Sequence, residues 1–138
     1  MFHYYENSRL FWINANSFEP NIKFELIGIL LGEAIFNGII LDIKFPSAIY
    51  KKLMNYEVDV KDLREIKPDV VDNLEKMLEY KEDDFEDVFG INFTVQEEVW
   101  GEIKTYELKQ GGEGINVTQD NKEEYVDLYV DHFLNKQI

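Results

Sequence analysis

Residues 22–40 read IKFELIGILLGEAIFNGII and form the most apolar stretch of this sequence of 138 residues. Apolar side chains stand on every face of the helix that the pattern predicts, which is typical of a helix buried on all sides. Gly28 and Gly32 are four residues apart, so they share a helix face that another element can approach closely. The apolar run over residues 26–41 contains Glu33 and is shorter than the ~20 residues of a membrane span. The sequence therefore predicts a central buried helix and no membrane partner.

Three shorter elements are predicted around this helix. Residues 10–13 combine aromatic and β-branched side chains, which favours a strand. Pro46 is expected to open a short helix that continues through Leu53. Residues 68–80 begin with proline and place apolar side chains at i, i+4 and i+7, which predicts an amphipathic helix.

The C-terminal half of the chain predicts a hairpin and a last helix. Residues 91–95 and 102–108 have strand-like composition and precede a glycine-rich turn. Residues 120–134 predict a helix whose apolar stripe contains Tyr125, Leu128, Tyr129, His132 and Phe133. The expected fold class is α+β, mainly helical, with a helical body and a small projecting lobe made of a helix and a hairpin.

Acidic residues are concentrated in the middle of the chain. The formal net charge is −14, from 28 acidic and 14 basic residues. Residues 1–55 are neutral overall, whereas residues 56–118 carry a net charge of −11. A nucleic-acid binder needs a basic surface, so this balance excludes nucleic acid as a partner. The contrast predicts a projecting lobe over residues 55–118, between residues 1–54 and a returning segment over residues 119–138.

Composition also limits the chemistry that the chain can perform. It contains no cysteine, which excludes disulfides, thiolate zinc sites and a cysteine thioester within these 138 residues. The two histidines, His3 and His132, are far apart, and no serine stands in a nucleophile-elbow context. The acidic stretch over residues 81–87 lacks the ligand spacing of a calcium-binding loop and is expected to be a solvated loop. We therefore expect no metal, no cofactor and no catalytic centre.

One carboxylate keeps an alternative open. Glu33 stands in the most apolar helix and would be a candidate general base if it were buried. The competing interpretation is an exposed carboxylate at the edge of the helix, or one paired with Lys51 or Lys52. The N-terminus has neither a basic segment nor an apolar run, so no signal peptide is predicted. A cytoplasmic protein is expected, with the nucleus as an alternative location.

Two groups of apolar side chains are candidates for a binding surface. Tyr125 and Tyr129 are i, i+4 neighbours on the last predicted helix. Val70, Leu74 and Met77 line one face of the helix over residues 68–80, and Tyr80 follows at its end. Both groups have the spacing of core residues, but tyrosine and methionine are also enriched in binding grooves.

Several strings of residues, in order along the chain, together resemble the N-lobe of HECT-type E3 ubiquitin ligases. The longest are LFWIN at residues 10–14, FELIGILLG at residues 24–32 and YVDLY at residues 125–129, and no single one of them carries the resemblance. Further matches are SFE (17–19), NG (37–38), LD (41–42), FP (45–46), YKKL (50–53), DL (62–63), LEY (78–80) and ED (86–87). The resemblance runs essentially from end to end.

The resemblance implies a role in ubiquitin transfer. In this family a small subdomain of the N-lobe docks a ubiquitin-conjugating E2 enzyme, and a cysteine of a separate C-lobe accepts ubiquitin from the charged E2. Residues 1–54 would then be part of the large N-lobe subdomain, residues 55–118 the E2-binding subdomain, and residues 119–138 a helix that returns to the large subdomain. By the same resemblance, the E2 groove consists of Val70, Leu74, Met77, Tyr80, Phe89, Ile91, Tyr125 and Tyr129.

The expected function is therefore E2 docking by part of a HECT ligase that meets ubiquitin through the charged E2. Because the chain has no cysteine, it is expected to be a fragment that cannot form the thioester by itself. The alternative from another class is an acidic structural or protein-interaction module with no ubiquitin role. A hydrolase built on carboxylates is a third and more distant hypothesis.

Overall fold

The computed structural model describes residues 1–136, in which helices predominate over two small antiparallel sheets. The helices are α1 (Asn21–Phe36), α2 (Ser47–Leu53), α3 (Val60–Ile66), α4 (Pro68–Glu79), α5 (Phe85–Phe89) and α6 (Lys122–Asp131). One hairpin pairs β1 (Phe2–Tyr5) with β2 (Leu10–Ile13), and the other pairs β3 (Thr94–Val99) with β4 (Glu102–Glu107). The chain is a mixed α+β structure, as the sequence predicts.

Most predicted elements are present, with shifted ends. The strand over residues 10–13 is β2, the helix after Pro46 is α2, and the helix over residues 68–80 is α4. β3, the first strand of the predicted hairpin, begins at Thr94 rather than at residue 91. β1 was not predicted. α6 continues into a π-helical turn, His132–Lys136. Of the returning segment over residues 119–138, Gln137 and Ile138 lie outside the described residues.

The prediction that residues 22–40 form a central buried helix is wrong in one respect. α1 exists, but only its Ala34 is buried. Ile22, Ile35 and Phe36 are 65%, 77% and 88% exposed. A Cβ atom added to Gly28 or Gly32 would meet nothing within 4 Å, so no element in the described part of the chain packs closely on the face that these two glycines share.

The physical reason is that apolar periodicity reports which faces of a helix favour burial, while burial itself requires a partner. Within residues 1–136, α1 has neighbours on one side only, where Leu31 and Ala34 face Ile49 and Leu53 across a cavity of about 210 Å³. No helix in this described range is both long enough and apolar enough to cross a bilayer.

The core lies where α3, α4 and α6 meet the two hairpins. Trp12 of β2 is 1% exposed and stacks on Phe133, with ring centroids 6.0 Å apart. Phe93, just before β3, is fully buried. Gly112 lies against Phe93 so closely that a Cβ atom there would be 2.4 Å from the Phe93 carbonyl oxygen. This close approach requires glycine.

A buried carboxylate joins α2 to α3. Asp59 and Asp62 form a capping box at the start of α3, each accepting from the other's backbone N–H. Asp62 is 3% exposed, lies 2.7 Å from the Lys51 ammonium and accepts a hydrogen bond from the Ser47 hydroxyl. Burial alone would raise the pKa of Asp62, but the hydrogen bonds from Lys51, the Asp59 backbone and Ser47 lower it below its usual value.

Candidate functional site

The eight predicted groove residues surround the contact between α4 and α6. Val70, Leu74 and Met77 lie on α4, and Tyr80 follows its last residue. Phe89 ends α5, Ile91 precedes β3, and Tyr125 and Tyr129 lie on α6. All eight either belong to the hydrophobic core or pack against it: Leu74, Met77 and Tyr125 are buried, and the other five are half-buried.

The structure brings Ile91, Tyr125 and Tyr129 together in an open cleft of about 560 Å³ between α6 and the β3–β4 hairpin. The Tyr125 and Tyr129 rings are 6.2 Å apart, and Tyr125 meets Phe93 edge to face at 5.6 Å. The hairpin contributes polar groups to the cleft, among them Gln96 and Thr105. Its walls are therefore aromatic on the helix side and polar on the hairpin side.

Both phenols of the cleft remain protonated at neutral pH. Burial raises the pKa of Tyr125. Burial also raises the pKa of Tyr129 to about 12, with smaller contributions from the negative charges that Tyr125 and Glu97 can carry. A protonated phenol offers an apolar ring and a hydroxyl that can donate a hydrogen bond, the combination that makes tyrosine frequent at protein interfaces.

Tyr80 and Phe89 belong to a second aromatic cluster beside this cleft. The Phe89 ring lies 4.6 Å from Phe85 and 5.4 Å from Tyr80, which it meets edge to face. The Tyr80 hydroxyl donates to the Asp84 carboxylate, and this hydrogen bond is the main cause that raises the pKa of Tyr80 to about 12. The expected solvated loop over residues 81–87 is partly wrong, because α5 begins at Phe85 and this side chain is 2% exposed.

Two polar side chains that the sequence analysis missed, one on α6 and one just before it, bind the Tyr80 cluster. The Lys122 ammonium donates to the Tyr80 carbonyl oxygen at 2.6 Å and lies 5.5 Å from the centre of the Phe85 ring. The Gln119 amide donates to the same carbonyl at 3.0 Å. Lys122 is three residues before Tyr125 and therefore on the same helix face, so periodicity could have identified it.

The eight residues do not form one continuous exposed groove. Leu74 and Met77 are 7% and 2% exposed and support the site from inside the core. Val70 lines a separate cleft of about 520 Å³, next to Tyr5 of β1 and Lys67. The accessible part of the predicted groove is therefore the Tyr125–Tyr129 cleft together with the half-buried Tyr80 and Phe89.

The candidates for catalysis and metal binding are not assembled into a site. Glu33 is exposed on α1, where its carboxylate accepts from the Asn37 side chain at 3.4 Å, in agreement with the exposed-edge interpretation. His3 is on β1, whereas His132 begins the π-helical turn and lies 3.5 Å from Glu97. In residues 1–136, no group of three or more His, Asp or Glu side chains is arranged to hold a metal ion.

Known proteins resemble this chain over its whole length. The family model described as HECT-domain (ubiquitin-transferase) matches residues 1–138. The probable E3 ubiquitin-protein ligase HERC4 of Homo sapiens is 43% identical over 138 residues, which cover 100% of this chain and 13% of that protein. The probable E3 ubiquitin-protein ligase HERC3 of Homo sapiens is 40% identical over 132 residues, or 96% of this chain and 13% of that protein.

A third relative is a differently named ligase. The probable E3 ubiquitin-protein ligase HECTD2 of Mus musculus is 38% identical over an alignment of 152 residues, which covers 100% of this chain and 20% of that protein. The chain thus spans only 13 to 20% of the length of these curated relatives.

Proposed function

The chain belongs to the HECT-domain (ubiquitin-transferase) family, and from this membership we propose that it is an N-lobe segment that docks a ubiquitin-conjugating E2 enzyme. The observation that carries the proposal is the open cleft in which Tyr125 and Tyr129 of α6 stand beside Ile91. An apolar side chain of the E2, of the kind expected from the family resemblance, would fill this cleft as an anchor.

The surroundings of the cleft suit such an anchor. Aromatic side chains supply large apolar contact area at a low cost in conformational entropy, and the polar hairpin side supplies hydrogen bonds at the rim. The acidic residues of the middle segment would attract an E2 that presents a basic surface and would raise the association rate. Leu74 and Met77 act in this proposal by supporting the cleft from the core.

The same proposal assigns roles to the three parts of the chain. Residues 1–54 are part of the large N-lobe subdomain, residues 55–118 form the E2-binding subdomain, and residues 119–138 return to the large subdomain. Ubiquitin arrives on the charged E2 and passes to a cysteine of a C-lobe. Since this chain contains no cysteine, the thioester must form on another part of the ligase.

Isothermal titration against a panel of E2 enzymes tests the proposal. We expect micromolar binding to at least one E2, in the range of a transient interface. Tyr129→Ala should weaken it by about 1–3 kcal/mol, because the side chain lines the cleft. Tyr50→Ala is the matched control, since Tyr50 lies on α2, is 48% exposed and is far along the chain from the cleft.

Thermal melts of each variant separate lost contacts from lost folding. Leu74→Ala is unsuitable as a binding probe because Leu74 is a core residue, and its truncation would unfold part of the population. If no E2 binds, or if folded Tyr129→Ala binds as tightly as the unsubstituted chain, the docking site is not this cleft. Absence of binding to every E2 would favour the acidic interaction module without a ubiquitin role.

A further inference from the structure

The aromatic side chains proposed for docking belong to two separate parts of the chain. Tyr125 and Tyr129 lie on α6, whereas Tyr80 follows α4 and Phe89 ends α5. An E2 enzyme that contacts both groups needs them at a fixed distance from each other. The bonds that hold the Tyr80–Phe89 cluster against α6 therefore matter for docking.

One backbone carbonyl, that of Tyr80, joins the cluster to the start of α6. Tyr80 has an extended ψ of 127°, so its carbonyl turns away from the hydrogen-bond pattern of α4. It accepts from the Lys122 ammonium at 2.6 Å and from the Gln119 side-chain amide at 3.0 Å. Lys122 is the first residue of α6, so its bond connects the cluster directly to the helix that carries the two cleft tyrosines.

The surroundings of Lys122 are unusual for a lysine. The residue is 9% exposed, and its ammonium lies 5.5 Å from the centre of the Phe85 ring. Within residues 1–136 no salt bridge accompanies this ammonium. A buried charge without a carboxylate costs free energy that an apolar side chain of the same volume would avoid. The ammonium therefore calls for an explanation other than the filling of space.

The bond to Tyr80 orients the side chains that a partner can reach. Lys122 itself is buried, whereas Tyr80 and Phe89 are half-buried. The Phe89 ring meets Tyr80 edge to face at 5.4 Å and lies 4.6 Å from Phe85. A displacement of the Tyr80 backbone would move these packed rings away from α6.

We propose, on the basis of the docking function inferred above, that Lys122 is a positioning residue for the E2. Its bond to the Tyr80 carbonyl holds Tyr80 and Phe89 at the distance from Tyr125 and Tyr129 that lets one E2 contact both groups. Lys122 acts through these side chains and does not touch the partner. Loss of the ammonium should therefore weaken docking without removing a contact to the E2.

The substitution Lys122→Met tests this role, because methionine keeps the apolar stem and removes the ammonium. The Tyr80 carbonyl still accepts from Gln119, so no buried acceptor is left unpaired. The variant should melt at the same or a higher temperature, since a buried charge is removed. Its affinity in calorimetry for an E2 that binds the unsubstituted chain should fall roughly tenfold. A merely structural role would instead lower the melting temperature and the affinity together.

Two control variants separate the hydrogen bond from the charge. Lys122→Arg keeps a donor for the Tyr80 carbonyl and should bind the E2 within about twofold of the unsubstituted chain. Lys81→Met removes the same charge from an exposed residue next to Tyr80. It should not weaken binding, because a lysine in the acidic loop repels a basic E2 surface. Both methionine variants make this region more acidic by one charge, so a difference between them comes from the bond.

Amide hydrogen exchange of the full chain tests the positioning without an E2. In Lys122→Met the amides of α5 should exchange about fivefold faster, because this segment loses a bond to α6 and opens more often. The amides of α3 should keep their rates. In Lys122→Arg the rates of α5 should match those of the unsubstituted chain.

The outcomes distinguish this inference from the docking proposal. If the unsubstituted chain binds an E2 and folded Lys122→Met binds it within twofold, the positioning role is wrong while docking stands. Unchanged exchange of α5 in Lys122→Met would also overturn the positioning role. If no E2 binds the unsubstituted chain, docking itself is wrong, and faster exchange of α5 would then reveal only a bond that stabilises the fold.

Discussion

α1 and α4 are two of the long helices within residues 1–136, and they use apolar side chains in opposite ways. α4 buries a single stripe, Val71, Leu74 and Met77, while its other faces are charged. α1 is apolar on nearly every face and buries only Ala34. The difference teaches that a stripe becomes core when the chain supplies a partner for it, as α3 and α6 do for α4. Apolarity alone does not bury a helix.

Matched leucine substitutions should show this contrast most strongly. Leu63 of α3 is fully buried, so Leu63→Ala should lower the free energy of unfolding by about 2–5 kcal/mol. Leu26 of α1 is 55% exposed, and Leu26→Ala should change the free energy of unfolding by less than about 0.5 kcal/mol. Urea denaturation of the two variants measures both values. Equal losses would mean that α1 is packed as tightly as α3.

Two glycine substitutions should change the stability of the chain in opposite directions. Gly112→Ala would force a methyl group against the Phe93 carbonyl and should destabilise the chain by about 1–3 kcal/mol. Gly32→Ala in α1 meets no neighbour within 4 Å and should stabilise the chain by about 0.5–1 kcal/mol, because alanine favours helix. Thermal melts decide the signs. A destabilising Gly32→Ala would reveal a close neighbour of α1.

The ion pair between the buried Asp62 of α3 and the more exposed Lys51 of α2 should make the stability of the chain depend on pH. The folded-state pKa of Asp62 is lowered, so its contribution is present above its unfolded pKa of about 4 and is lost as the pH falls through the folded value. Asp62→Asn should therefore cost about 1–2 kcal/mol at pH 7. The difference from the unsubstituted chain should shrink below about pH 4. A difference that does not depend on pH would exclude the ion pair as its cause.

The ion pairs on the exposed side of α4 should contribute least to the free energy of unfolding. Arg64 reaches Asp72 and Glu75 at 2.5 Å each, and all three side chains are 40% exposed or more. Arg64→Gln should lower the free energy of unfolding far less than Leu63→Ala does, and salt should reduce the loss further. Urea denaturation at low and high salt measures this effect. A loss as large as that of Leu63→Ala would contradict the division into core and surface.

The sequence predicted the positions of the helices and strands better than it predicted what packs against them. Pro68 and the α4 stripe identified the helix that carries much of the core, and the Tyr125–Tyr129 spacing identified the aromatic wall of the cleft. The hairpin side of the cleft, with Gln96 and Thr105, could not be predicted because it depends on long-range packing of β3 and β4 against α6. The exposure of α1 could not be predicted for the same reason.

The proposed docking cleft is tested most directly by amide chemical shifts of the isotope-labelled chain during titration with an unlabelled E2 that binds it. We predict that the largest shifts cluster at Ile91, Tyr125 and Tyr129, with smaller ones at Phe89. The amide chemical shifts of the α1 residues should not change during the titration. Shifts confined to α1 or to the tip of the β3–β4 hairpin, with the Tyr125–Tyr129 cleft unchanged at saturation, would contradict the proposed docking site.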